Sequence, residues 1–333
     1  MAINVTVNPV LRRELVERMR GRRTFIVLTI YLGVLAGILY LVYQTNRGTS
    51  ASSFGAPVAT QIASVGRGIF EWLLFFMLLL VLFLVPGQTS GAIAGERERQ
   101  TLVPLQITLL RPVSLLLGKI GASLAFLLLL LVATVPLLSV SYLIGGVTIP
   151  QVLGGVAMVA FTGVIVACMT ACISAFCRRV QAATVLAYGL VIALTLGTIL
   201  AFAAAGLIDT SRGTDDANPP EWILYPNPFV MVADVVGGDN DAFGTTSSPF
   251  DPIHDWLARD EARDVRAGDD VVFAEEGGPG IVGVDEFGNP IFESSTFSSF
   301  WPISALILAG LSVLAVAAGA RRLRTPTATA TER

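Results

Sequence analysis

The chain has 333 residues, 53% hydrophobic and only 14% charged, with a formal net charge of −3. Soluble chains carry about a quarter charged residues, so composition excludes an ordinary soluble domain. One histidine and three cysteines leave little material for a metal or redox centre.

The apolar residues come in blocks. Six stretches, at 24–43, 69–85, 120–142, 152–176, 182–208 and 300–320, approach or exceed the ~20 residues that cross a bilayer as a helix. Lipid offers no partner for backbone N–H and C=O groups, so each must be helical. The predicted fold is an all-α polytopic membrane protein. It has six transmembrane helices, an amphipathic helix at the N-terminus and a small mixed cap between spans 5 and 6.

Residues 1–23 precede the first span. Asn8-Pro9 is a helix-start signal. Leu11, Leu15 and Met19 follow at helical spacing among Arg12, Arg13 and Arg18, which predicts an amphipathic helix lying in the membrane interface. Span 1 resembles a signal peptide only in its preceding arginines, and its apolar core is too long for that role.

Span 2 ends at Pro86-Gly87, and 90–100 reads as a helical extension beyond the membrane. It carries the charged run Glu96-Arg97-Glu98-Arg99, then Gln100, Thr101 and the stripe Leu102, Leu105, Leu109, interrupted by Pro104. Arg111-Pro112 starts the next helix. Lys119, the only lysine, is expected to snorkel to the headgroups. The whole segment 88–119 separates spans 2 and 3.

Spans 3, 4 and 5 are joined by the short connections 144–151 and 177–181 and form a tight bundle. Cys168 and Cys172, one helical turn apart in span 4, read as packing residues rather than a metal pair. The long loop 209–299 holds 19 acidic residues against four arginines. Within it Trp222, Tyr225 and Phe229 suit a membrane interface, and Pro228-Phe229 opens a short apolar helix. Residues 254–266 read as an amphipathic helix, and 282–292, with Gly288-Asn289-Pro290, as a hairpin. Span 6 and a basic tail, 321–333, complete the chain.

Basic residues set the orientation. Sixteen of the 22 fall before span 1, between spans 2 and 3, between spans 4 and 5, or after span 6. Both termini are therefore expected in the cytoplasm, with the acidic loop outside. Its negative charge argues against nucleic-acid binding.

Absences narrow the chemistry. A P-loop needs Gly-x-x-x-x-Gly-Lys-Ser/Thr, but Val113 stands at the first glycine position before Gly118-Lys119 and Ile120 at the hydroxyl position. No catalytic carboxylate pair appears within a span, and Asp239-x-Asp241 before Gly244 lacks the terminal glutamate of a calcium loop. His254 reads as a solvated or structural histidine. The deep parts of the spans carry no ionisable residue, with Glu71 near the outer end of span 2 expected to reach water. Ion-coupled carriers usually keep such groups at midplane, so energy for transport is expected from outside the chain.

Six spans, a basic amphipathic N-terminal helix, the opening Asn8-Pro9-Val10-Leu11-Arg12-Arg13-Glu14-Leu15 and the run Gly95-Glu96-Arg97-Glu98-Arg99-Gln100-Thr101-Leu102 resemble the membrane subunit of ABC-2 type transporters. Tyr225-Pro226-Asn227-Pro228-Phe229 is similar to a segment after that family's span 5. Gln100 departs from the family's usual glycine, so a different turn is expected there. The resemblance implies a permease of an ATP-driven exporter, with cytoplasmic P-loop ATPase subunits on separate chains. It also implies a second permease, identical or not. No cofactor is expected on this chain, with ATP and Mg on the partner ATPase. Glu96, Arg97, Glu98, Arg99, Thr101, Leu102 and Leu105 would couple to the ATPase, while Leu11, Arg12, Arg13, Leu15 and Met19 would rest on membrane lipids. Apolar walls suit an amphipathic or lipid-like cargo. Two alternatives are the same fold passing mechanical work to an extracytoplasmic protein, and a non-transporting scaffold.

Overall fold

A computed structural model describes residues 22–49, 58–100, 112–211, 220–237, 248–254, 281–284, 290–292 and 300–324. The expected interface helix, with Leu11, Arg12, Arg13, Leu15 and Met19, lies outside them, as do Thr101, Leu102 and Leu105. Within them are six helices long and apolar enough to cross a membrane.

Helix α1 is Arg22–Thr49 and α2 is Val58–Thr89. A short helix, α3, covers Ala94–Glu98, followed by α4 at Pro112–Ile144 and α5 at Ile149–Phe176. Helix α6 (Val180–Ile192) passes through a π-helical turn, Ala193–Gly197, into α7 (Thr198–Ser211). After α7 come α8 (Pro228–Val236), packed against α5 and the last helix of the bundle, and two antiparallel strands, β1 (Ile281–Val284) and β2 (Pro290–Phe292). Helix α9 is Phe300–Arg324.

Several helices outrun their apolar stretches. At ~1.5 Å per residue the 32 residues of α2 and the 33 of α4 reach nearly 50 Å, against ~30 Å of hydrocarbon. Hydropathy marks only the apolar middle, whereas backbone hydrogen bonding continues past it.

Helix α2 is the centre of the bundle. Phe70, Leu74, Met77, Leu78 and Val81 are at most 1% exposed and pack among α1, α4 and α5. By contrast, little of α1 or of the α6–α7 span is buried. Small residues allow the tightest crossings. A methyl on Gly163 would lie 2.5 Å from Leu127 Cδ2, and one on Gly319 would press on Cys172 Sγ. The cysteines are thus packing elements beside α9.

The α4–α5 connection turns through Gly145 (φ +107°) and Gly146 (φ +81°). A side chain at Gly146 would meet the carbonyl of Ala63 at 1.9 Å. Only glycine tolerates both the angle and the approach. The turn is thereby pressed against the start of α2, where Ser141 donates to the Gly66 carbonyl at 2.7 Å.

Candidate functional site

The charged run forms α3 and lies in a corner made by α4, α5 and α6. Its position depends first on its own N-terminus. Five residues cannot satisfy the N–H groups that open a helix. Ser174, one turn from the end of α5, does so from outside. Its Oγ accepts from Ile93 N at 3.1 Å and from Ala94 N at 3.0 Å.

Three consecutive side chains then reach three different helices. The Glu96 carboxylate pairs with Lys119 Nζ of α4 at 2.8 Å. Arg97 donates through Nη1 to the Cys177 carbonyl at 2.8 Å and through Nη2 to the Ala175 carbonyl at 3.0 Å. Glu98 Oε1 accepts from the Val180 amide, the first of α6, at 3.0 Å. A helix carries partial negative charge at its C-terminus and partial positive charge at its N-terminus. Arg97 therefore caps the end of α5 and Glu98 the start of α6, from adjacent positions on α3.

This corrects the expectation for Lys119. Its side chain is 5% exposed and faces Glu96, not the headgroups. A buried ammonium without its carboxylate is far costlier than the pair, so bonding to α3 wins over snorkelling. The run is also less available than its sequence suggested. Glu96 and Arg97 are half-buried and Glu98, though exposed, is engaged; the exposed Arg99 and Gln100 follow. Arg322 of α9 and Arg178 of the α5–α6 turn lie close enough to act electrostatically on Arg97.

Hydroxyl groups extend the junction into the membrane. The Thr89 and Thr170 hydroxyls hydrogen-bond between α2 and α5. Ser90 Oγ and Thr184 Oγ1 meet at 3.0 Å between α2 and α6. Tyr188 donates to the Phe83 carbonyl at 2.9 Å. Pro86 removes a backbone donor inside α2, and Gly87 leaves room for the Tyr188 hydroxyl, which a methyl there would approach at 3.0 Å. Helix–helix hydrogen bonds of this kind hold membrane helices in register.

Gln100 closes α3 with φ +58°, the left-handed conformation that glycine prefers. Its amide donates to the Arg97 carbonyl at 3.2 Å. The expected different turn is not found: glutamine adopts the glycine-type geometry.

A second polar cluster lies at the opposite end of the bundle. Glu71 is 2% exposed, so it does not reach water as its position suggested. Arg67 Nε donates to its Oε1 at 2.8 Å, and Ser248 donates to its Oε2. Arg67 also reaches the Val236 carbonyl at 3.5 Å, and His254 Nε2 sits 3.0 Å from the Ala233 carbonyl. His254 is thus structural. Ligand atoms of Glu71, Asp251 and His254 lie within 4.8 Å of one another. Both Glu71 oxygens already have hydrogen-bond donors, so the set works as a latch between α2, α8 and the turn 248–254. Nothing local in the sequence signals it, because its members are about 180 positions apart.

The Tyr225–Phe229 segment supplies a third connection. Asn227 is fully buried. Its Oδ1 accepts from Phe229 N at 2.8 Å and caps α8. Its Nδ2 donates to the Thr195 carbonyl at 3.1 Å and to Thr198 Oγ1 at 2.8 Å. The π-turn in the span 5 helix is thus held by the start of α8.

Comparison with known proteins agrees with this architecture. The family model described as "ABC-2 family transporter protein" matches residues 42–320. No curated protein sequence matches the chain. The match begins inside α1 and ends inside α9, and so takes in the α3 junction, the Glu71 latch and the Asn227 contact alike. The chain belongs to the ABC-2 family of transporter proteins, as a multi-pass membrane permease subunit.

Proposed function

We propose that this permease belongs to an ATP-driven exporter of an amphipathic or lipid-like molecule and that α3 is the contact through which a separate cytoplasmic ATPase moves the helices. One observation carries the reading. Glu96, Arg97 and Glu98 tie a five-residue helix to α4, α5 and α6 at once. A push on α3 therefore reaches three spans, which suits rigid-body rocking of a bundle. The partner-facing part is Arg99, followed by Thr101, Leu102 and Leu105. Leucines at helical spacing suit a groove on a partner, and the arginine suits a complementary acidic site.

The basic flanks support a cytoplasmic side for both termini and α3, in keeping with a permease of an inner membrane. Two permeases over two ATPases complete the assembly. The apolar character of the spans supports the cargo class, since a polar solute would need hydrogen-bonding groups along its path.

The test is co-purification from the native membrane. The wild type should carry a P-loop ATPase. Arg99→Glu combined with Leu102→Ala and Leu105→Ala should lose at least tenfold of it without lowering the unfolding temperature. Full retention of the ATPase by that variant would remove α3 and its continuation from the interface.

A further inference from the structure

We infer that a groove between α4, α5 and α9 is a binding site for one acyl chain of an anionic phospholipid, with the headgroup on Arg321. The groove has a volume of about 590 Å³ and is open on one side. That lies within the ~300–1,000 Å³ of small-molecule sites. Leu117, Cys168, Ser312, Val316 and Ala320 line it, and Arg321 stands at one end.

Its length fits one leaflet. Ser312 to Arg321 is nine residues along α9, about 13 Å at ~1.5 Å per residue. Half of a ~30 Å hydrocarbon core is about 15 Å. The apolar part therefore matches the depth of an acyl chain, and Arg321 falls where phosphates lie, on the α3 side of the membrane.

The wall asks for nothing polar. Ser312 donates its hydroxyl to the Ala309 carbonyl at 2.8 Å, inside its own helix. The charge at the end does ask for a partner. Arg321 is exposed and, among the described residues, has no carboxylate within ion-pair distance. Lys119, the other cation near Leu117 in sequence, is held by Glu96. An apolar trough ending in a guanidinium with no carboxylate partner among the described residues selects a phosphate that is not neutralised by its own headgroup amine. That favours phosphatidylglycerol-type lipids over phosphatidylcholine, and a lipid over a second copy of the chain.

The test uses the purified full chain in detergent with phosphatidylglycerol or phosphatidylcholine of the same acyl composition, read by native mass spectrometry. The wild type should retain phosphatidylglycerol at least threefold more than phosphatidylcholine. Arg321→Ala should lose the preference. Val316→Trp and, as a milder filling, Ala317→Phe should retain neither lipid above background while unfolding at the wild-type temperature. Cys168, in the wall, gives a readout independent of mutation: its alkylation, mapped by peptide mass spectrometry, should slow with phosphatidylglycerol and not with phosphatidylcholine. Equal retention of both lipids by the wild type would overturn the proposal. So would undiminished phosphatidylglycerol in both filled variants, unchanged Cys168 alkylation, or dimers that the filling variants dissolve.

Discussion

Gln100 adopts φ +58° at the end of α3. A residue with a Cβ costs roughly 1 kcal/mol more than glycine there. The conformation persists because the Gln100 amide bonds to Arg97, whose guanidinium is itself fixed on α5. Gln100→Gly should therefore raise stability by about 0.5–1 kcal/mol, and Gln100→Ala should not. Thermal unfolding of the two variants side by side checks this. If alanine stabilises as much as glycine, the strain is not where the backbone puts it. Lys119 makes a related point. The sequence shows a lone cation near a membrane face, for which snorkelling is the natural reading. Only the fold brings Glu96 to 2.8 Å from it.

At the scale of elements, the α6–α7 span shows how a local irregularity is maintained. A π-turn, Ala193–Gly197, interrupts it, and such turns leave carbonyls without their normal helical donors. Asn227 supplies one donor to Thr195 and, through its other side-chain atom, caps α8. Asn227→Asp keeps the cap acceptor but removes the amide donor. Asn227→Ala removes both. The alanine should cost about 1–3 kcal/mol, since a buried carbonyl is left unsatisfied, and the aspartate more, since it also buries a carboxylate against that carbonyl. Hydrogen exchange should rise at 193–198 in both variants, and at the start of α8 only in the alanine variant. Equal exchange at α8 in the two would separate the cap from the Asn227 side chain. The motif around Asn227 was visible in the sequence; its partner on the π-turn was not, because a π-turn leaves no periodic signal in an unbroken apolar run.

For the whole molecule, two polar connections mark the two ends of the bundle. At one end a latch joins Glu71 and Arg67 of α2 to Ser248, with His254 bonded to α8 nearby. The junction at the other end joins α3 to α4, α5 and α6. If α3 receives the ATPase, then cutting its ties should leave partner binding intact and disconnect the motion. Arg97→Ala with Glu98→Ala frees the ends of α5 and α6 while leaving Arg99 in place. ATP hydrolysis by the complex should persist within about twofold of wild type. The ATP-dependent distance change between spin labels on the ends of α2 and α7 farthest from α3 should fall several-fold. A full distance change in that variant would show that force enters elsewhere.

The six-helix membrane architecture was legible in the sequence. So were the start of α8 at Pro228 and a helical turn within residues 90–100. Each depends on a local rule: twenty apolar residues must be helical in lipid, proline favours a first helical turn, and a charged run is conspicuous in an oily chain. The sequence by itself therefore determined that the protein spans a membrane six times and where its one charged elbow lies. The tertiary structure decided what the charges do. Glu96, Arg97 and Glu98 face 119, 175–177 and 180, and Glu71 faces 248. Those pairings link positions 23 to 177 residues apart, and no periodicity in one chain encodes which helix ends will meet. Packing around α2 brings them together, and the cost of leaving a buried charge unpaired then fixes the partners.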